Sequence, residues 1–268
     1  MGETLRRYAW HGFAVLMCVY FLAPMVIAVL MSFTPSRFLR LPTDEWSLRW
    51  YEAFFSDAKW MESLTNSLIV AGLTIVISLI VGMAAALAFS RFKFRWGTTI
   101  YTLALTPVFT PAVIIGMSML GIAYQTGMWG GYLIIAIAHS LWAFPLVIMV
   151  LRVSLDGLDR SIEEAARGMG ASPFQVFYLI ILPLIGPSVL VGALFAFIIS
   201  INEFVMALFL GTSETETMPR VIYPTLRYRL TPLVAAASGV LMLITIVGLL
   251  VSARLMNLRR LVEFNRSQ

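Results

Sequence analysis

Few side chains in this chain have the type and spacing for covalent chemistry. Its only lysines, Lys59 and Lys93, follow Ala58 and Phe92, so no Gly-Lys-Ser/Thr closes a phosphate-cradling loop, and an ATP site of that kind is excluded. The two histidines, His11 and His139, are too far apart for a His-Glu-x-x-His metal site. Ala236-Ala237-Ser238-Gly239 comes nearest to the Gly-x-Ser-Gly of an intramembrane serine protease and lacks its first glycine. Cys18 is alone, which rules out an intrachain disulfide. What remains is the chemistry of binding and of force. Glu203, beside Asn202, is a carboxylate bordering an apolar run, a group that a cation path would use and that a wet membrane interface also accommodates. His139 and Trp142 share another apolar run and suit a cavity wall; a lone histidine there also serves to bond a neighbouring helix. No metal or cofactor is implied.

Residues 164–183, EAARGMGASPFQVFYLIILP, carry their own helix punctuation. Ser161 with Glu164 three residues on reads as a capping box, preceded by Asp159. Ala165 and Ala166 favour helix, and their small side chains suit a helix inserted into a partner's groove. Gly170 is placed to stop that helix in the left-handed conformation. A second start follows, with Ser172 as cap, Pro173 at the first helical position and Gln175 at the third. The residues predict a short helix, a sharp glycine turn and a second helix rising into the next apolar run. Capping alone fits a simple connector equally well.

The elements around these residues follow from where charge is missing. The chain is 60% hydrophobic and 12% charged, against about 25% charged in soluble domains. No Asp, Glu, Lys or Arg occurs in 8–36, 63–90, 96–151, 168–202 or 230–253. A membrane-spanning helix needs about 20 apolar residues. The glycine-rich stretch at 127–131 divides the longest interval in two. Six spans are expected, at about 12–33, 64–89, 98–124, 132–151, 178–201 and 234–255, with the charged loop 152–177 between the fourth and fifth. The runs do not alternate as barrel strands do, and helices satisfy their own backbone without water. Of the 19 basic residues, 12 fall before span 1, between spans 2 and 3, between spans 4 and 5, or at and after the end of span 6. The positive-inside rule therefore puts both termini and loop 152–177 in the cytoplasm. The basic pI near 9.6 is then a topology signal and does not point to nucleic acid. Arg6-Arg7 before an apolar run mimics a secretory signal, but the run is long and lacks a small-x-small exit, so an uncleaved first span is expected.

Finer patterns lie on this frame. Ser78, Gly82, Ala86 and Ser90 recur every fourth residue, a stripe that lets helices approach closely, within the chain or between subunits. Pro107, Pro111, Pro145, Pro183 and Pro187 permit kinks. Trp46, Trp50, Tyr51 and Trp60 in segment 34–63 suit an interfacial aromatic belt. Arg220, Arg227 and Arg229 could meet acidic residues of a delivery protein or line a lipid interface.

The spacing E-A-A, three residues, G, nine residues, I, one residue, L-P is met without departure by Glu164, Ala165, Ala166, Gly170, Ile180, Leu182 and Pro183. It resembles the cytoplasmic EAA loop of permease subunits of ATP-binding-cassette (ABC) importers. Arg49-Trp50-Tyr51 with Phe54-Phe55, Asn66-Ser67-Leu68, Ile201-Asn202-Glu203-Phe204 and Ile222-Tyr223 are similar to polyamine-type importer permeases, so the likeness spans nearly the whole chain. Ala112 after Pro111 departs from the acid such permeases often carry there, which counts against a polycation.

The resemblance implies an all-α membrane protein with the six-helix fold of type I importer permeases, one transmembrane domain over 1–268, and residence in the bacterial inner membrane. It implies a coupling role for Glu164, Ala165, Ala166, Gly170, Ser172 and Pro173, with Glu164 as the polar contact to a nucleotide-binding subunit and Gly170 as the pivot. The implied partners are an ATP-binding-cassette ATPase dimer, a second homologous permease, a periplasmic substrate-binding protein and membrane lipid. Polyamines are the expected cargo, with opine-like compounds and aminophosphonates as alternatives. A secondary transporter working alone would need more intramembrane ionisable groups and detectable halves.

Overall fold

The computed structural model describes residues 2–39, 41, 45–229 and 231–266. These are overwhelmingly helical and contain no strand among the described residues. In chain order the helices are α1 (Gly2–Ser32), α2 (Arg49–Ser56), α3 (Ala58–Arg91), α4 (Gly97–Leu105), α5 (Ala112–Thr126), α6 (Tyr132–Asp156) and α7 (Arg160–Gly168). They continue with α8 (Pro173–Val176), α9 (Leu182–Leu184), α10 (Gly186–Asn202), α11 (Val205–Leu210), α12 (Met218–Arg229) and α13 (Pro232–Arg266).

Four helices, α1, α3, α6 and α13, are each long and apolar enough to cross a membrane by themselves. The spans expected at 98–124 and 178–201 contain the prolines read as permitting kinks, and both are sharply bent. Both are broken, the first by 102° and the second by 75°, and each passes the length test only as a pair of pieces. Among the described residues, length and composition thus allow four crossings, or up to six if each bent pair is one span.

Proline explains both breaks. After α4, a 3₁₀ turn at Thr106–Phe109 leads to Thr110, whose backbone is extended (φ −85°, ψ 128°). Pro111 imposes this, because its ring clashes with a helical conformation in the residue before it. In the second case Pro183 and Pro187 each remove a helical N–H, and the backbone widens into a π turn at Phe177–Ile181 before bending at Ile185. Pro145 is carried inside α6 with no such break. The expected glycine boundary holds: α5 ends on Gly127 in the left-handed region (φ 70°), and α6 starts at Tyr132.

The chain divides into two compact units, residues 1–61 with 221–243, and residues 62–220 with 244–268. In the first, Phe54 and Trp60 are buried with ring centroids 5.7 Å apart. The Tyr51 hydroxyl lies 2.8 Å from Ser32 Oγ, and Trp50 Nε1 donates to the Thr34 carbonyl at 2.9 Å. Of the aromatics expected to form a belt, Trp46 is exposed, while Trp50, Tyr51 and Trp60 are engaged in this packing.

In the second unit the small-residue stripe does what its spacing implied within the chain. Ser78, Gly82, Ala86 and Ser90 are all buried. A Cβ added at Gly82 would lie 2.7 Å from Val147 Cγ1 of α6, so the glycine is what lets α3 and α6 come this close. Two apolar clusters fill the unit. One gathers Val70, Ile115, Met119, Ile135, Met206 and Leu210 from α3, α5, α6 and α11. The other joins Ala86, Val147, Leu151, Ala166, Val176 and Ile185, bringing the segment after α6 into the same core as α3.

Candidate functional site

The segment between α6 and α10 folds largely as its punctuation indicated, with one correction. The cap of α7 is Asp159, whose side chain accepts the Ser161 backbone N–H at 2.9 Å, so the expected Ser161–Glu164 capping box does not form. An aspartate one position before the first helical residue reaches that donor, which leaves Ser161 inside the first turn. The bond from the Ser161 N–H holds the Asp159 carboxyl below its ordinary range. Its capping contribution is therefore complete above the ordinary carboxylate pKa and fades as pH falls through the lowered value, well below neutrality.

Gly170 stops α7 as expected. Its φ is 89°, with open space where a Cβ would stand. The Ala171 N–H donates to the Ala166 carbonyl at 3.0 Å, and the Gly170 N–H donates to Arg167 at 2.9 Å. These two bonds form the Schellman closure that satisfies a helix's orphan carbonyls. The restart is complete too: the Gln175 N–H donates to Ser172 Oγ at 3.3 Å, the Ser172 N–H donates to Gln175 Oε1 at 2.8 Å, and Pro173 occupies the first position.

Within α7 the faces separate cleanly. Glu164 and Ala165 are exposed, whereas Ala166 is buried in the core with Leu155 and Val176. Only one of the two alanines is thus free to meet a partner. In α7 and the segment that follows it, Ile162, Met169, Phe174 and Leu179 also stand exposed.

Sequence reasoning missed the acid next door. Glu163 is buried, and Arg91 Nη2 donates to its Oε1 at 2.5 Å. Arg91 Nη1 also donates to the Leu155 carbonyl at 3.0 Å, and Arg160 Nη2 donates to the Ser90 carbonyl at 2.6 Å. Ser90 Oγ donates to Asp156 Oδ1 at 2.5 Å. The signal was present: Glu163 and Ala166 are three apart and so share the inward face of α7, and Arg91 directly follows the last residue of the small stripe.

The residues named for a solute path form two groups. His139 on α6 is fully buried; its Nδ1 is 2.9 Å from Ser200 Oγ of α10, and Ser200 Oγ is 3.2 Å from Thr74 Oγ1 of α3. His139 Nε2 lies 3.3 Å from Glu203 Oε2, without the alignment of a hydrogen bond. The Glu203 carboxylate accepts three backbone N–H groups at the start of α11, from Val205 (2.9 Å), Met206 (2.8 Å) and Ala207 (3.2 Å). It is 3% exposed, so it acts here as the buried cap of a helix. Trp142 Nε1 donates at 3.1 Å to the Thr110 carbonyl, filling a vacancy left by the break before α5. Asn202 is exposed, with its amide donating to Ile198 O at 2.8 Å.

Arg220, read as meeting either a delivery protein or a lipid interface, turns inward: Nη1 donates to Thr212 O at 3.0 Å, and Nε lies 3.8 Å from Glu216. Arg227 is exposed beside the Tyr228 ring, and the Arg229 side chain lies outside the described residues.

Residues 78–260 match the protein family described as the binding-protein-dependent transport system inner membrane component. The chain is 34% identical over 252 residues to the putrescine transport system permease protein PotI of Escherichia coli, covering 90% of this chain and 89% of that one. It is 25% identical to the spermidine/putrescine transport system permease protein PotC of the same species, over 94% of each. Among solved structures, a chain of a bacterial ABC transporter involved in importing the acidic polysaccharide alginate superposes with a TM-score of 0.71 at 18% identity, covering 96% of this chain and 97% of that one.

Proposed function

The chain belongs to the family of binding-protein-dependent transport system inner membrane components, and from that premise we propose that it conducts polyamines or related small amines through an ATP-driven importer. The observation that carries the reading is the likeness to PotI over nine-tenths of the chain, joined to a capped, glycine-stopped helix that holds Glu164 outward. A helix so presented suits a groove on a separate ATPase, with the carboxylate meeting a donor there and Gly170 as the pivot into α8 through Ser172 and Pro173.

The permease works as one domain over 1–268. It crosses the inner membrane six times, each broken pair counting as one crossing, with both termini and loop 152–177 in the cytoplasm. The two breaks support a gating role, since bent helices expose backbone groups that only protein or a water-lined cavity can satisfy. Asn202 faces the path directly. Trp142, His139 and Glu203 shape it from behind, by fixing the break at Thr110 and the start of α11. An ATPase dimer, a second homologous permease, a periplasmic binding protein and surrounding lipid complete the assembly.

Reconstitution with those partners in proteoliposomes tests this. Uptake of radiolabelled putrescine should require ATP inside and the loaded binding protein outside. An assembled complex that hydrolyses ATP yet takes up neither putrescine nor spermidine would overturn the cargo; uphill uptake by this polypeptide alone would overturn the class.

A further inference from the structure

Two neighbouring acids on α7 point opposite ways. Glu164 is exposed; Glu163 is turned inward onto Arg91 of α3, with the paired side chains 9% and 14% exposed. The Arg91 guanidinium binds three helices at once. It is carried by α3, it donates to Leu155 O near the end of α6, and it donates to the Glu163 carboxylate of α7. Arg160 returns the link from α7 to the Ser90 carbonyl of α3. The accepting carbonyls of Ser90 and Leu155 lie in the last turns of their helices, where backbone acceptors are orphaned and the helix dipole favours a cation. Asp156, bonded to Ser90 and 3.4 Å from Arg152 Nε, closes the cluster, and the Arg152 guanidinium lies 4.1 Å from the centre of the Tyr101 ring of α4.

We propose that Arg91 and Glu163 are the joint that carries displacement of α7 into α3 and α6, in parallel with the route through Gly170 to α10. This rests on the importer reading above. The route through Gly170 runs along the backbone, across a single left-handed turn with open space around it and then a π turn. The route through Arg91 is a largely buried, charge-assisted contact. Pulling it apart would leave two poorly hydrated charges unpaired, which is costly. Arg91 and Glu163 are positioning residues: they touch no solute and act by holding α7 to α3.

The test uses the complete transporter in proteoliposomes, with putrescine uptake and ATP hydrolysis measured on the same preparation. Glu163→Gln and Arg91→Gln should keep the ATPase copurifying and hydrolysing, while uptake per ATP falls about tenfold, a usual size for coupling between sites. Glu163→Asp keeps the charge with a shorter reach and should give an intermediate ratio. Unchanged uptake per ATP in the Gln variants overturns the joint. So does a parallel loss of assembly and both activities in the Gln and Asp variants alike, which would mark the pair as structural only. Should the Gln variants not assemble while Glu163→Asp does, the Asp ratio decides: below wild type supports the joint, equal to wild type overturns it. A wild-type complex that hydrolyses ATP without uptake would instead defeat the parent reading.

Discussion

Adjacent residues at this site do different work because of where the helix turns them. Glu164 is exposed, so Glu164→Lys should leave stability within about 0.5 kcal/mol of wild type while abolishing copurification with the ATPase. Retained copurification, read by affinity pull-down from membranes, would remove Glu164 from the contact. Glu203 makes the opposite case. Its carboxylate accepts three backbone N–H groups, those of Met206 and Ala207 buried and that of Val205 partly so, and each buried donor left orphaned costs about 1–3 kcal/mol. Glu203→Ala should therefore lower thermal stability in detergent clearly more than Glu203→Gln, which keeps one acceptor oxygen. Equal melting temperatures for the two would show that the cap contributes little.

At the scale of elements, the decisive features are stops, caps and breaks. Gly170 has φ 89° and room for a side chain, so its role is conformational and not one of close packing. Gly170→Val should cost about 1–2 kcal/mol for the left-handed backbone and shift the angle between α7 and α8. Membrane insertion should persist while uptake per ATP drops, as paired hydrolysis and uptake assays would reveal; wild-type coupling would exclude the pivot. The caps at Ser172, Pro173 and Gly170 were legible because each depends on residues within a turn. The cap at Asp159 was misread by two positions, since two acceptors competed for the same donors. The breaks at Thr110 and Ile185 were only half legible. Proline permits a kink, but the neighbouring helices decide whether backbone freed by it is satisfied: Trp142 does so at Thr110, and α6 stays intact through Pro145.

For the whole molecule, topology is the open measurement. Single cysteines introduced at either end and in loop 152–177, in a background lacking Cys18, should react with a membrane-impermeant thiol reagent only after the cell is opened. Cysteines in segment 34–63 should react in intact spheroplasts. Labelling of the loop from outside would reverse the orientation on which the coupling role depends.

Charge-free intervals, basic loops and the 164–183 spacing were enough to point to a polytopic helical permease, with a loop for which a coupling role is proposed. Those are properties of local composition and of residues a few positions apart. Tertiary structure alone decided that Glu163 and not Glu164 faces inward, that Arg91, 72 residues away in sequence, is its partner, and that Glu203 caps a helix from a buried position. Each depends on which distant helix supplies the neighbour, and the free energy of a buried charge is set by that neighbour.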